Sequence, residues 1–509
     1  MSTINPNSLA SAVGNEMRNG VINPSTAIKP RKILIAGFAK NVVGLSVNTP
    51  IRVFSPEDVG AKCGFGSEIH RLAVACYKGS QSVETWISVQ AEGGSDVLAT
   101  ATATLTIATV AKSGVLPLYI SGEYVPVTIS AGATVTTAAQ AVVAAIVANT
   151  NLAVTASNTA GVVTLTAKTK GIFGNANSVA VGLKGESNDT GVAVAVGSFA
   201  SGVGKVDISL VLAGMGVGDS SNEKDFTAVI HANGKDAVTL DALSTYNGVG
   251  LTTSGCYDRV VGRFFRSLVG SVANDLAAEI TFSDGRKFDR TSGGLVVPNT
   301  PNNIHEVAAT VMGVMENVNS TLANGSYFEM VIPGVIAGGV RWTDQYNNRD
   351  IAVRSGISPT MALDGAVKIQ NVVTFYRPDS VPVMNNGFRS MRNIAISQNV
   401  DYVIRNYFKQ ESWQNITIVK DVKKVSVAAY RERARDIAGV KDALKFIASQ
   451  FEGRAMIFSM DATIAGLAEA DSVVIRQGGT GFDYNLKLMY SGEGGIMNST
   501  TLFDINLSA

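Results

Sequence analysis

The side chains able to do chemistry are few and scattered. The histidines are His70, His231 and His305, and the cysteines are Cys63, Cys76 and Cys256. Nucleophilic catalysis needs a base within hydrogen-bond reach of its nucleophile, and a structural zinc site needs four closely spaced N or S ligands. The cysteines are too few and too dispersed for a disulfide framework, and three histidines make a zinc site unexpected. There is no G-x-S-x-G elbow and no P-loop lysine motif. Each histidine is therefore read as a surface or packed side chain. Gly214-Met215-Gly216-Val217-Gly218 follows a stretch read as strand, as a dinucleotide loop would. It lacks the third glycine at the required offset and a helix opening after it, so it is read as a linker. The basic cluster Lys420, Lys423, Lys424, Arg431, Arg433 and Arg435 is diluted by Asp421, Glu432 and Asp436 and has no interleaved aromatics to stack bases. It is read as a solvated face. The expectation is no catalytic residue, no cofactor, no metal and no nucleic-acid partner.

Composition agrees with that expectation. Of the 509 residues, 46% are hydrophobic and 16% charged, and the net charge of +1 gathers no polyanion. An ample core under a lightly charged surface suits a chain that buries surface in an assembly, and equally a stable β-rich enzyme. The length suits several domains, three as a starting value. No secretory signal is present, and no apolar run reaches the ~18 residues at which a membrane helix is expected. The chain is expected to be soluble, made in a reducing cytoplasm, and not inserted in a membrane.

The elements follow from periodicity. Residues 32–37 read as a buried strand. Ser55-Pro56 opens a helix with Ser as N-cap and Pro at the first position. A helix over 68–78 and a strand over 85–89 complete the start of an α/β layer. From 96 to 200 charge nearly vanishes. There a hairpin over 118–129 turning at Ser121-Gly122-Glu123, a helix over 134–149, and a hairpin over 154–168 turning at Ala160-Gly161 make a ββαββ module. The helix is expected to bury Ala138, Ala139, Val142, Val143, Ile146 and Val147 on one sheet face. The layer resumes with a strand at 208–212, a strand-rich stretch from 225, and a segment at 257–266 that reads as strand or helix. A helix over 304–319, a strand over 327–332, and a polar helical segment over 342–351 follow.

Residues 356–409 read as a junction. Asp364-Gly365 is a tight-turn signal, followed by Val367, Ile369, Val373 and Phe375 on one strand face. A helical stripe of Met391, Ile394, Ala395, Val400, Val403, Ile404, Tyr407 and Phe408 then carries the chain into the next domain. There Val440, Ala443, Leu444, Ile447, Ala448 and Phe451 give a helix over 439–452, ended by Gly453. Strands are expected from 456, near 472–476, and over 483–489.

The ordered run LYISGEYVPVTISAGATVTTAAQAVVAAIVANTNLAVTASNTAGVVTLTAKTKGIFGNANSVAVGL, from Leu118 to Leu183, resembles the insertion of contractile tail-sheath proteins of Mu-like bacteriophages. The matching features are Leu118-Tyr119-Ile120, the Ala-rich helix, Val162 with Thr164-Leu165-Thr166-Ala167-Lys168, and Lys170-Gly171 with Gly174-Asn175. VIPGVIAGGVRW, SGIS and VVTFYR resemble the middle domain of the same family. The resemblance implies an α+β / α/β multidomain chain. Its parts would be an N-terminal arm (1–30), a subtilisin-like α/β domain without protease activity (31–92 plus 205–385), an outward-facing inserted ββαββ domain (93–204), a C-terminal α+β domain facing an inner tube (386–495) and a C-terminal arm (496–509).

The polar ends with strand-like alternation could each add a strand to a neighbour's sheet edge. Such head-to-tail contacts build open helical tubes, and Leu502, Ile505 and Leu507 are the arm candidates. The resemblance further implies stacked hexameric rings around a tail tube, with baseplate and tail-terminator partners, in a virion tail assembled in the host cytoplasm. Contraction by rigid-body rotation would drive the tube through the host envelope. It implies basic residues of the C-terminal domain against an acidic tube. The candidates are Lys441 and Lys445, one turn apart, and Arg431 and Arg435 at the same spacing. A non-contractile decoration protein carrying a host- or glycan-binding module is the alternative.

Overall fold

The computed structural model describes residues 28–107, 111–215, 224–248, 263–377 and 387–492. The chain divides into two compact units. Among the described residues, one holds 28–399 and 490–492 and the other 400–489.

The larger unit starts with β1 (Lys32–Ala39), β2 (Ile51–Val53), α1 (Pro56–Cys63), α2 (Glu68–Gly79) and β3 (Glu84–Ala91). The Ser55 hydroxyl accepts from the Asp58 amide at 3.2 Å and Pro56 takes the first turn, so α1 starts where the sequence placed it. Next come β4 (Leu98–Ile107), β5 (Gly114–Ile120), β6 (Glu123–Ile129), α3 (Val135–Ala148), β7 (Val154–Thr159), β8 (Val162–Lys170), β9 (Val179–Val181) and β10 (Val192–Val196). Both expected hairpins are present, β5–β6 and β7–β8, but they do not share a sheet. One sheet runs β6-β5-β9 and the other β10-β4-β8-β7. The module therefore needs β4, β9 and β10, which the ββαββ reading left out. On α3 the stripe Ala138, Ala139, Val142 and Ile146 is buried as expected, whereas Val147 is exposed.

The chain continues through α4 (Ile208–Met215), β11 (Ala228–Ile230), α5 (Ala237–Asn247), β12 (Arg266–Ser271), α6 (Leu276–Asp284), β13 (Ser292–Val296), α7 (Ile304–Thr321), α8 (Tyr346–Arg354), β14 (Ile357–Leu363), β15 (Ala366–Ile369) and α9 (Met391–Phe408). The division between units falls within α9. The main sheet has the order β15-β14-β13-β12-β11-β1-β3-β2, parallel from β14 to β3, with antiparallel β15 and β2 at the edges. Both faces are covered, which is why β1 is apolar from Ile33 onward. Ile33 and Ile35 join the cluster with α2 and α7, while Leu34, Ala36 and Phe38 join the one with α4 and α5.

Several expectations are corrected. The run 208–212 is helix α4, not strand. The Asp207 side chain accepts from the Ser209 amide at 2.9 Å, and Ile208, Val211, Leu212 and Met215 are buried at helical spacing. A short apolar run alone does not distinguish the two. Gly214 lies in its last turn rather than in a linker, and residues 216–218 fall outside the described ones. Residues 327–332 form no regular strand. They hydrogen-bond β15 irregularly, Glu329 N–H to Ile369 O and Ile332 N–H to Val367 O, both at 2.9 Å. The stretch from 225 holds only the short β11 before α5, and Arg266 opens β12 while 257–262 lie outside the described residues. β15 ends at Ile369, so Val373 and Phe375 are buried beyond it. Asp364 and Gly365 turn β14 into β15 with φ of 54° and 75°.

The second unit contains β16 (Thr417–Ile418) parallel to β17 (Ala434–Arg435), with α10 (Ala428–Arg431) between them. It continues with α11 (Ile437–Glu452), α12 (Asp461–Ala468) and the antiparallel pair β18 (Val473–Ile475) and β19 (Phe482–Tyr484). α11 buries Val440, Ala443, Leu444, Ile447, Ala448 and Phe451, the full expected stripe. Residues 456–458 start no strand and lead instead into α12, which the sequence reading missed.

α2 and α7 cross at two glycines. A Cβ on Gly79 would sit 2.3 Å from Thr310 O, and one on Gly313 would sit 2.3 Å from Cys76 O. These obstacles are backbone and cannot rotate away. Gly313→Ala should therefore lose about 1–3 kcal/mol, despite the ~1 kcal/mol that alanine gains in a helix. Urea denaturation of the purified chain checks this by a lowered midpoint.

Candidate functional site

His70, His231 and His305 are the side chains best suited to general acid–base work. All three are buried. The His70 Nδ1 accepts from the Gly66 amide at 3.0 Å, and its ring meets Phe65 edge-on at 5.3 Å. His231 follows β11; its Nδ1 accepts from the Asn233 amide at 3.2 Å, and its Nε2 has no hydrogen-bond partner. His305, in the first turn of α7, packs on Phe173 at 6.1 Å. No hydrogen bond from these rings to a serine, aspartate or glutamate occurs among the described residues. Burial pushes all three imidazoles down to about 4, helped at His70 by the Arg71 and Lys168 cations and at His231 by His305. They are packed, neutral rings. The Cys63 and Cys76 thiols are buried and pushed up to about 12, chiefly by burial, which leaves them protonated. Cys256 lies outside the described residues. Among the described residues no group of three His, Cys, Asp or Glu could hold a metal, and no helix is long and apolar enough to cross a membrane.

The basic candidates all fall in the unit 400–489, but on different elements. Lys441 and Lys445 lie one turn apart on α11. The Lys445 ammonium is exposed, 3.5 Å from the exposed Asp442, and Lys441 is half-buried and donates to Glu469 O at 3.2 Å. Arg431 ends α10 and Arg435 sits on β17, so their four-residue spacing does not make one helical face. Both guanidiniums hold the unit's own loops. Arg431 donates to Val425 O at 2.7 Å and Ser426 O at 3.1 Å. Arg435 donates to Glu432, Ala434 and Ser412 carbonyls and stacks over Trp413 at 5.1 Å. Between them lies a groove of about 590 Å³ with Tyr407, Trp413 and Phe446 in its lining. The sequence reading missed this groove. Its signal is the aromatic pair Tyr407 and Phe408 at the end of the α9 stripe, of which Tyr407 lines the groove. The arm candidates Leu502, Ile505 and Leu507 lie outside the described residues.

What the sequence did not show at all is the set of buried charges. Arg266 pairs with Glu316, both fully buried, and also donates to the Tyr327 hydroxyl at 2.8 Å and Asn319 Oδ1 at 3.1 Å. Arg71 forks onto Glu306 at 2.9 and 2.6 Å. Lys29 pairs with Asp225 at 2.8 Å. Burial alone would lower the two arginines, yet the facing carboxylates raise them above the ordinary arginine value. Each acts as a permanent cation in a joint between elements.

No protein-family model and no curated protein matches the chain. Solved structures do. A sheath tail protein of Desulfitobacterium hafniense is 10% identical, with 89% of this chain and 91% of that one covered and a TM-score of 0.42. A chain of the anti-feeding prophage baseplate is 10% identical over 97% of this chain and 100% of that one, with a TM-score of 0.46. A chain of the PVC sheath complex, an extracellular contractile injection system in its contracted state, is 9% identical over 98% and 99%, with a TM-score of 0.44.

The buried groups predict a two-sided pH dependence. The histidines hold folded values of about 4 against 6.5 when unfolded, so the unfolded chain binds more protons between those values and stability falls as pH drops from 6.5 to about 4. Glu68 is pushed up to about 8, first by burial and further by Glu92, against a hydrogen bond with the Phe38 backbone. Here the folded chain binds the extra proton, and stability falls as pH rises from 4.5 to about 8. Glu68→Gln should therefore be more stable than the native chain at pH 8, by at least about 1 kcal/mol, and nearly equal to it at pH 4.5. Melting curves at the two pH values check this.

Proposed function

We propose that this chain is the structural subunit of a contractile tail sheath. It would polymerise as stacked hexameric rings around a tail tube and contract by rigid-body rotation of its subunits. The observation that carries the reading is the ordered run from Leu118 to Leu183. Supporting it, the run folds as hairpin, helix, hairpin and the Lys170–Asn175 turn, in a segment that lies between β3 and α4 in the chain. The α/β layer is assigned the role of the family's subtilisin-like domain. Among the described residues the histidines are packed and neutral and the Cys63 and Cys76 thiols protonated, which suits a mechanical part. The extended state would be kinetically trapped and contraction driven by contacts formed only in the contracted one. Baseplate, tail-terminator and tube proteins are the partners, the virion tail the location and the host cytoplasm the place of assembly.

The tube contact is assigned to the exposed side of α11. Lys445 is the leading residue and Lys441 the second, because Arg431 and Arg435 already hold their own loops. Reversing both lysines to Glu should lower loading onto the tube by about tenfold or more, equivalent to ~1.4 kcal/mol. Empty polysheath should still form. Co-sedimentation with tube checks this, and normal loading would remove the site. Deleting residues 498–509 should leave folded monomers that no longer polymerise. Tubes formed by the truncated chain would overturn the role given to Leu502, Ile505 and Leu507.

A further inference from the structure

We infer that the segment inserted between β3 and α4 is latched to the α/β layer by Arg71, so that the two move as one rigid body. Arg71 lies on α2 and is 2% exposed. Its guanidinium reaches three elements. Nε and Nη2 fork onto Glu306 of α7 at 2.9 and 2.6 Å, Nη2 also donates to Glu123 at the start of β6 at 2.8 Å, and Nη1 donates to Asn151 O ahead of β7 at 3.0 Å. Two of these partners belong to the insertion, one at the start of β6 and one in the loop between α3 and β7, and the third belongs to the α/β layer.

The residues just before α7 continue the seam. Asn303 Nδ2 donates to Phe173 O at 3.2 Å and Asn177 Oδ1 at 2.9 Å, and Asn302 Nδ2 donates to Ser121 O at 3.3 Å. The Ser178 hydroxyl donates to Pro301 O. On the α2 side the Glu68 amide donates to Thr169 Oγ1 at 3.2 Å, and the Lys170 amide to Glu92 at 3.0 Å.

An insertion joined by two chain crossings alone would swing. This one is pinned on two helix ends at once, and swinging would strip a buried arginine of one of its carboxylates, leaving charge poorly compensated in the interior. Apolar contact continues across the seam, as where Phe173 packs on His305, and the directional polar contacts fix its one geometry where apolar contact alone would slide. Any rotation of the α/β layer carries the insertion with it. The insertion is thus a fixed outrigger and not a tethered module searching for ligands. This coupling is a property of the single chain, so its test does not depend on whether the chain builds a sheath.

The test is hydrogen exchange by mass spectrometry on the full chain, with Glu123→Ala and Arg71→Met variants. In the native chain the seam amides around Ser121–Glu123 and Thr169–Lys170 should exchange as slowly as the cores of the two sheets they join. In Glu123→Ala they should exchange at least tenfold faster while β1, β3 and residues 162–167 of β8 stay protected. Fast seam exchange in the native chain would overturn the inference, and so would unchanged seam protection in Glu123→Ala. Glu123→Ala leaves the Arg71–Glu306 fork in place and decides the matter even where Arg71→Met fails to fold.

Discussion

The buried pair of Arg266 and Glu316 is the constraint on which the larger unit depends. Both residues are fully buried, and separating them would leave a charge without a counter-ion in the interior. The surrounding groups partner the pair at every side-chain nitrogen and oxygen but the Arg266 Nε. Thr227, just ahead of β11, donates to Glu316 at 2.9 Å, and Arg266 donates to Met391 O at 3.0 Å at the start of α9. Arg31, just before β1, donates to Asn319 O at 3.2 Å and to Gln398 of α9 at 2.7 Å, while Gln398 donates to Thr227 O and Phe264 O. The second cation costs something, since burial and the neighbouring Arg266 bring Arg31 down to about 10 against the pull of Glu316. In exchange one polar knot fixes the start of the described chain, three parallel strands, α7 and α9 relative to one another.

The same logic explains a composition that looked merely bland. With only 16% charged residues, the chain places a notable part of them in joints. Lys29–Asp225, Arg31, Arg266–Glu316 and Arg71–Glu306 each lie where two or more elements meet. Apolar contact fills the layers, and directional charge sets the angle between them.

Much of the fold was legible because period is written in side-chain type. α11 and α7 follow from three- and four-residue spacing, and α1 from its Ser-Pro start. β4 was missed although its signal was present, since Ala99, Ala101, Ala103 and Leu105 are buried and the threonines between them exposed. Alanine is too small to register as an inward face. α4 was misread because an eight-residue apolar segment fits either period. The buried arginines were not legible, because residue type alone places a charge outside; only the fold brings Glu316 to Arg266 across fifty positions of sequence. The candidate site was readable only as composition. Lys441 and Lys445 share a face as the spacing said, whereas Arg431 and Arg435 were separated by a turn into β17 that no periodicity announced.

The central proposal is that this chain assembles head to tail into an open helix. Negative-stain electron microscopy of the purified full chain, alone and with its cognate tube, tests it most directly. The account predicts long striated tubes with a helical repeat, forming alone or nucleated on the tube. A single closed particle of fixed size, unchanged by concentration and by added tube, would contradict it.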